Sequence, residues 1–293
     1  GIVAAASDNG LGVAGLCPGC TVLVIKVLSE EGSGSSYDIA RAIEYAVFCA
    51  QQFHKRLIIN LSLGSDWPDG HSLDESQVVA RAREAGALLV AAAGNASSAQ
   101  PAPWPPSFPA NYDGVMSVTA TDWLDAPTWF SFWADWDDGL GVGAPGENIL
   151  SLTPLWTGAS YAFKNGTSMA SPLVAGAAGL VWSAHPGWTA DEVARQVVDS
   201  AYVPAGWDPS YGAGRLDALA ALQPLIGPPT AAPVASATPT ASNTPTASPT
   251  PTVMRTATPT ATATPVLGVA HLPMIWSSPP LAGPTPTPGG VYP

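Results

Sequence analysis

The chain has 293 residues, 46% hydrophobic and only 11% charged, with 22 carboxylates against 10 basic side chains. All 22 carboxylates and nine of the ten basic residues lie in residues 1–222, which leaves that stretch at −13 and the remainder at +1. The apolar content excludes disorder throughout, the acidity argues against a nucleic-acid partner, and no run reaches the roughly eighteen uninterrupted apolar residues of a membrane-spanning helix.

The first residue is Gly, with no basic, apolar leader ahead of it, so Gly1 reads as a cut end. Gly10–Gly15 spells GLGVAG. A dinucleotide site needs that pattern to follow a strand and open a helix; here a CPGC turn follows, so the segment is read as a tight loop and no nucleotide is expected. Cys17 and Cys20 of that turn are spaced for a small-loop disulfide in an exported protein, with Cys49 left buried and free. The histidines (His54, His71, His185, His271) are scattered without metal-ligand spacing.

Elements then alternate. Thr21–Leu28 (TVLVIKVL) is a β-branched strand, Tyr37–Gln51 has helical spacing, and Leu57–Leu63 (LIINLSL) is a second apolar strand. Ser72 is placed to cap a helix running to Ala85, with Glu75 three residues on; Ala87–Ala93 is a third buried strand and Val115–Thr119 a fourth. Continuous apolar strands separated by helices predict a three-layer α/β fold, a mostly parallel sheet with helices on both faces. In such sheets chemistry sits beyond the carboxyl ends of the strands, which directs attention to LSLGS and AAAGNAS. Trp133–Asp138 (WADWDD) reads as a solvated acidic loop rather than a cation site. Asn60, Asn95 and Asn165 begin formal glycosylation sequons, but each lies in or beside an apolar run and none is expected to carry a glycan.

Asn165–Ala184 (NGTSMASPLVAGAAGLVWSA) is apolar all round, as in a fully buried helix, with Thr167 or Ser168 as its cap. A serine hydroxyl at the start of that helix sits where the dipole and free amides favour developing negative charge. Beyond Leu222 the composition changes: 14 prolines fall in residues 1–222 and 17 in the last 71. Three segments follow, a domain over 1–222, a Thr/Pro/Ala-rich linker or stalk over 223–265, and a short terminal piece over 266–293 containing GVAHLPMIW, too short to fold alone.

The string GTSMASP closely resembles the nucleophile signature of the subtilisin-like serine proteases, and other segments match that family in order. GIVAAASDNGLGVAGLCPG resembles the stretch that follows the family's catalytic histidine motif, IINLSLG its substrate-binding strand, AAAGN the segment supplying the oxyanion asparagine, FPANYDGVMSVTATD the following pocket segment, and GVGAPGENILS the turn before the nucleophile. Leu173 stands where the family usually has His. The resemblance implies a serine endopeptidase with Ser168 as nucleophile and Asn95 as oxyanion donor, acting on polypeptides and needing no cofactor for its chemistry. It implies substrate contacts at Ser62, Leu63 and Gly64, a pocket wall at Ala92, Ala93 and Gly94, and a structural calcium loop at Asn9 with the carbonyls of Leu11 and Val13, completed upstream. The triad Asp and His would both precede Gly1, so the 293 residues alone should be inert. An extracellular or cell-surface location is expected, with attachment through the tail. The alternative is a catalytically inactive relative that binds peptides at the surface.

Overall fold

The computed structural model describes residues 1–65, 72–97, 104–134, 138–154, 157–226 and 267–271. Apolar strands of the kind found here need cover on both faces, and successive side chains show how it is supplied. In β2 (Ile58–Leu61), Ile58 enters one core and Ile59 the other; in β3 (Leu88–Ala92), Leu88 and Val90 alternate likewise with Leu89 and Ala91. With β1 (Thr21–Leu23), β4 (Val115–Thr121), β5 (Val142–Pro145) and a terminal β8 (Leu267–His271), these form a six-stranded sheet in the order β1-β8-β2-β3-β4-β5, parallel throughout. A separate antiparallel pair, β6 (Ile149–Leu152) with β7 (Tyr161–Lys164), leads to the buried helix.

One face is covered by α1 (Ser36–Gln52) and α2 (Leu73–Glu84). Ser35 opens α1 by accepting from the Asp38 amide at 3.1 Å, and Ile39, Ile43, Ala46 and Ala50 recur at helical spacing to form its buried stripe. The other face carries α3 (Thr167–Ala184), α4 (Ala190–Asp199) and α5 (Ala218–Ile226), which share the core containing Val90, Met116 and Val118. This is the expected three-layer α/β arrangement.

The predicted strand over Thr21–Leu28 is shortened to three residues. Its ladder with β8 stops at Leu23, and Val24 is exposed. The strand β8 comes from the terminal segment and lies between β1 and β2, pairing Val269 with Val22 on one side and with Ile58 on the other. Of the linker expected over 223–265, residues 223–226 belong to α5 and the rest lie outside the described residues.

A disulfide joins Cys17 and Cys20, while Cys49 stays a free thiol and is half-exposed rather than buried. The disulfide rests on α3 at Gly179, where a Cβ would come within 2.8 Å of Cys20 Sγ, so this close approach requires glycine. Of the three sequons, Asn60 is fully buried, whereas Asn165 is exposed and its side chain accepts from the Asn148 amide at 2.6 Å. Burial therefore excludes a glycan at Asn60 but not at Asn165. In the acidic loop Asp135 and Asp137 lie outside the described residues; Asp138 accepts from the Gly114 and Leu140 amides.

Ser72 caps α2 as predicted, accepting from the Glu75 amide at 3.3 Å, but the box is not closed. The Ser72 amide donates to the Tyr112 hydroxyl, and the Glu75 side chain turns inward to Ser36, 2% exposed, with Oε1 unpartnered among the described residues. Burial pushes its carboxyl up to about 7, opposed in part by the Ser36 hydrogen bond. The unfolded chain releases this proton near 4.5 and the folded one only near 7. Between those values the folded state binds more protons, so stability falls as pH rises and levels off above 7. Glu75→Gln is expected to remove this loss, on the order of 3 kcal/mol. Urea unfolding of both proteins at pH 5 and pH 8 checks it: the variant should gain on the parent at pH 8, and an equal difference at both pH values would contradict it.

Candidate active site

The carboxyl ends of β2 and β3 and the amino end of α3 meet at one edge of the sheet, and the residues singled out from the sequence converge there. Gly166, not Thr167 or Ser168, is the cap of α3, with φ 144° and ψ 155° and no side-chain cap bond. The correction has a physical reason: the two hydroxyls that were expected to cap have partners across the seam. Thr167 Oγ1 accepts from the Gly94 amide at 3.2 Å and lies 3.3 Å from Asn95 Oδ1. Ser168 Oγ faces the carbonyl of Ser62 at 3.4 Å, a long and weak contact that leaves the hydroxyl easily redirected.

Ser168 therefore stands in the first helical turn, where amides lack intrahelical acceptors and the dipole is positive. It is 5% exposed. Asn95 follows β3, and its Oδ1 accepts from the Thr167 amide at 2.9 Å. That bond orients the carboxamide and leaves its nitrogen as a donor without a partner among the described residues; a Cβ on Gly166 would lie 3.5 Å from Oδ1 and 3.7 Å from Nδ2. The backbone around Asn95 is clamped as well: the Ala96 amide donates to the Phe130 carbonyl at 2.7 Å and the Phe132 amide to the Gly94 carbonyl at 3.1 Å. The site thus offers a hydroxyl, a helix-start amide and a side-chain amide at one point, which is what an acyl-transfer centre needs for its nucleophile and oxyanion.

Ser62 and Leu63 are buried and Gly64 exposed as the chain leaves β2. Ser65 and Phe108 exchange amide bonds at 2.8 and 2.9 Å, which holds this segment extended. Ala92 and Ala93 are buried and Gly94 is half-buried, so the wall at the end of β3 is made of small residues.

His185 caps the far end of α3, stacked on Trp188 at 3.8 Å, about 25 Å along the helix from Ser168. His54 lies in the turn between α1 and β2, at the amino end of the strands, and His71 lies outside the described residues. His271 ends β8 at the register position opposite Asn60. In the expected calcium loop Asn9 Oδ1 accepts from the Leu11 amide at 2.9 Å, a local turn that engages one of the oxygen's two acceptor positions.

Three residues at the site were given no role in it by the sequence. Thr167 orients Asn95, and Asn60 and Ser171 share a buried hydrogen bond of 2.8 Å between β2 and α3. A signal existed for the last two. Asn60 and Ser62 are polar positions two apart in an apolar strand, and Ser168 and Ser171 are three apart in an apolar helix, so each pair shares one face.

The model of the subtilase family matches residues 1–214. Subtilisin Savinase of Lederbergia lenta is 38% identical over 217 residues, covering 74% of this chain and 73% of the relative. The alkaline protease of Alkalihalobacillus alcalophilus is also 38% identical over 217 residues, but the match covers only 52% of that protein, so the chain spans about half its length. Among solved structures, the prenylagaramide maturation protease PagA superposes with TM-score 0.65 at 28% identity, covering 77% of this chain and 80% of that one. The S41 psychrophilic protease gives TM-score 0.64 at 29% identity, covering 74% and 75%.

Gly94 joins β3 to Asn95 at φ +115°, and a Cβ there would meet Ser107 Oγ and lie 2.5 Å from Phe132 Cδ2. Gly94→Ala is expected to destabilise by about 3 kcal/mol through backbone strain and overpacking. Thermal unfolding checks this as a Tm drop of several degrees; an unchanged Tm would contradict the packing described.

Proposed function

The chain belongs to the subtilase family, and from that premise we propose that it is a serine endopeptidase with Ser168 as nucleophile and Asn95 as oxyanion donor. The observation that carries the reading is the junction at residues 166–168. There, Asn95 Oδ1 is held by the Thr167 amide, which leaves Nδ2 beside the helix start that bears the Ser168 hydroxyl.

In this reading Ser168 Oγ attacks the carbonyl carbon of the scissile peptide and its proton passes to an imidazole oriented by a carboxylate. In this reading both groups come from residues upstream of Gly1. The negative charge of the tetrahedral intermediate falls between Asn95 Nδ2 and the Ser168 amide. Collapse expels the amine, which takes the proton, and water then hydrolyses the acyl-serine ester. The polypeptide lies along Ser62, Leu63 and Gly64 as an added strand, and the small residues Ala92, Ala93 and Gly94 leave room for a sizeable apolar side chain, which favours broad specificity.

No cofactor enters the chemistry. Asn9 Oδ1 and the carbonyls of Leu11 and Val13 would supply three of the roughly six to eight oxygens a structural calcium takes, and its remaining ligands would come from other residues. An extracellular or cell-surface setting is supported by the Cys17–Cys20 disulfide and the Thr/Pro-rich stalk. Among the described residues no helix is long and apolar enough to cross a membrane.

The test uses the protein as encoded, with any residues upstream of Gly1, and an unstructured protein substrate. Ser168→Ala is expected to lower kcat by about 10⁶-fold, the loss measured when the nucleophile of subtilisin is removed. Asn95→Ala should lower it by about 10²–10³-fold, as measured for subtilisin's oxyanion asparagine. Hydrolysis that survives Ser168→Ala overturns the assignment. A parent protein that hydrolyses nothing while binding extended peptides would instead identify an inactive peptide-binding relative.

A further inference from the structure

A line of polar side chains crosses the otherwise apolar seam between β2 and the first turn of α3. Ser171 Oγ donates to Asn60 Oδ1 at 2.8 Å, Asn60 Nδ2 donates to Ser62 Oγ at 2.9 Å, and Ser62 Oγ donates to the main-chain carbonyl of Ser168 at 2.9 Å. Asn60 and Ser171 are fully buried and Ser62 is 2% exposed. Each hydroxyl proton in this line has one assigned acceptor, so the relay has a direction, from the helix into the strand and back to the residue that bears the nucleophile.

We infer that Asn60 is a positioning residue for Ser168, acting through Ser62 and Ser171; the inference rests on the endopeptidase reading above. Neighbouring positions of β2 are Ile and Leu, which would fill this seam without any polar atom to satisfy. Asn60 uses both ends of one carboxamide to tie two points of the same helical turn, the Ser171 hydroxyl directly and the Ser168 carbonyl through Ser62. Asn95 holds the Thr167 amide from the other side at 2.9 Å. The peptide that follows the nucleophile is thus fixed to the end of β2, and the Gly166–Thr167 peptide, one residue before it, to the segment after β3. Loss of Asn60 frees the Ser62 hydroxyl to turn away and leaves the Ser168 carbonyl without its fixed donor. The hydroxyl that must meet the substrate carbonyl then loses one of its two anchors.

The experiment compares the parent protein, as encoded, with Asn60→Ala, Ser171→Ala and the double variant, using active-site titration with a serine-directed acylating agent alongside kcat and KM. Asn60→Ala is expected to retain the titratable fraction of the folded parent while kcat per titrated site falls about 10- to 100-fold and KM stays within about twofold. The double variant should be no slower than Asn60→Ala, because both changes break one relay. A loss confined to the titratable fraction, with kcat per site unchanged, overturns the inference, as do fully additive effects. Should Asn60→Ala fail to fold, Ser171→Ala decides alone: a fall in kcat per site supports the relay and parental kcat overturns it. Hydrogen exchange at the amides of residues 168–171 separates this from the endopeptidase reading. Faster exchange in Ser171→Ala supports the anchoring even if the parent is not titrated, which would sink the endopeptidase reading alone; unchanged exchange overturns the anchoring.

Discussion

Everything at the site depends on how α3 is buried. Its body packs against both β3 and β4 with thirteen of its eighteen residues inside the core, and its sequence is small and apolar on every face. Such a helix has no amphipathic stripe to choose an orientation, so rotation about its axis and sliding along it must be set by shape and by the few polar atoms it carries. Gly179, seated against the Cys17–Cys20 disulfide, supplies shape near the far end; Thr167, Ser168 and Ser171 supply polar registration near the start. The helix start, with its positive end and unpaired amides, is thereby pinned at the carboxyl edge of the sheet, where the loops after β2 and β3 emerge.

The same constraint explains why the site is assembled from polar groups that are buried yet satisfied. A hydroxyl or carboxamide in this seam without a partner would cost about 1–3 kcal/mol. Asn60, Ser62, Ser171, Asn95 and Thr167 instead satisfy one another across three chain segments, so a displaced helix would lose several bonds together. Ser168 Oγ is the exception, with only a long contact to the Ser62 carbonyl at 3.4 Å. The group that must exchange its partner for a substrate is the one held least tightly, while its backbone is held on both sides.

The long elements of the fold were legible because their signals are local. The apolar runs at Leu57–Leu63 and Ala87–Ala93 became β2 and β3 within a residue or two, and Ser72 opens α2 where expected. Local signals also misled where tertiary partners intervene. Thr167 and Ser168 have the chemistry of helix caps, but Thr167 Oγ1 engages Gly94 and Asn95 across the seam, Ser168 Oγ faces the Ser62 carbonyl only at long range, and Gly166 adopts the cap. Thr21–Leu28 has strand composition along its whole length, but only its first three residues find a partner strand. The strand β8 was not legible at all: five residues separated by a long linker from the domain say nothing local about which ladder they join. At the site, Ser168 and Asn95 were found through motif resemblance, whereas the polar positions at Asn60 and Ser171 stand out in apolar runs but acquire a role once β2 and α3 are brought together.

The position of β8 bears on how the sheet tolerates its own topology. Strands β1 and β2 do not pair with each other; each offers its inner edge to β8. An unfilled gap there would leave two rows of unpaired amides and carbonyls inside the sheet, a costly arrangement for buried backbone and a template for any extended segment of suitable length. A short apolar strand between β1 and β2 meets that need. The gap adjoins β2, the strand that carries Asn60 and Ser62, so occupancy of the gap and registration of the nucleophile share one strand. Whatever segment occupies that slot therefore pairs with the strand that carries Asn60, on the side opposite β3.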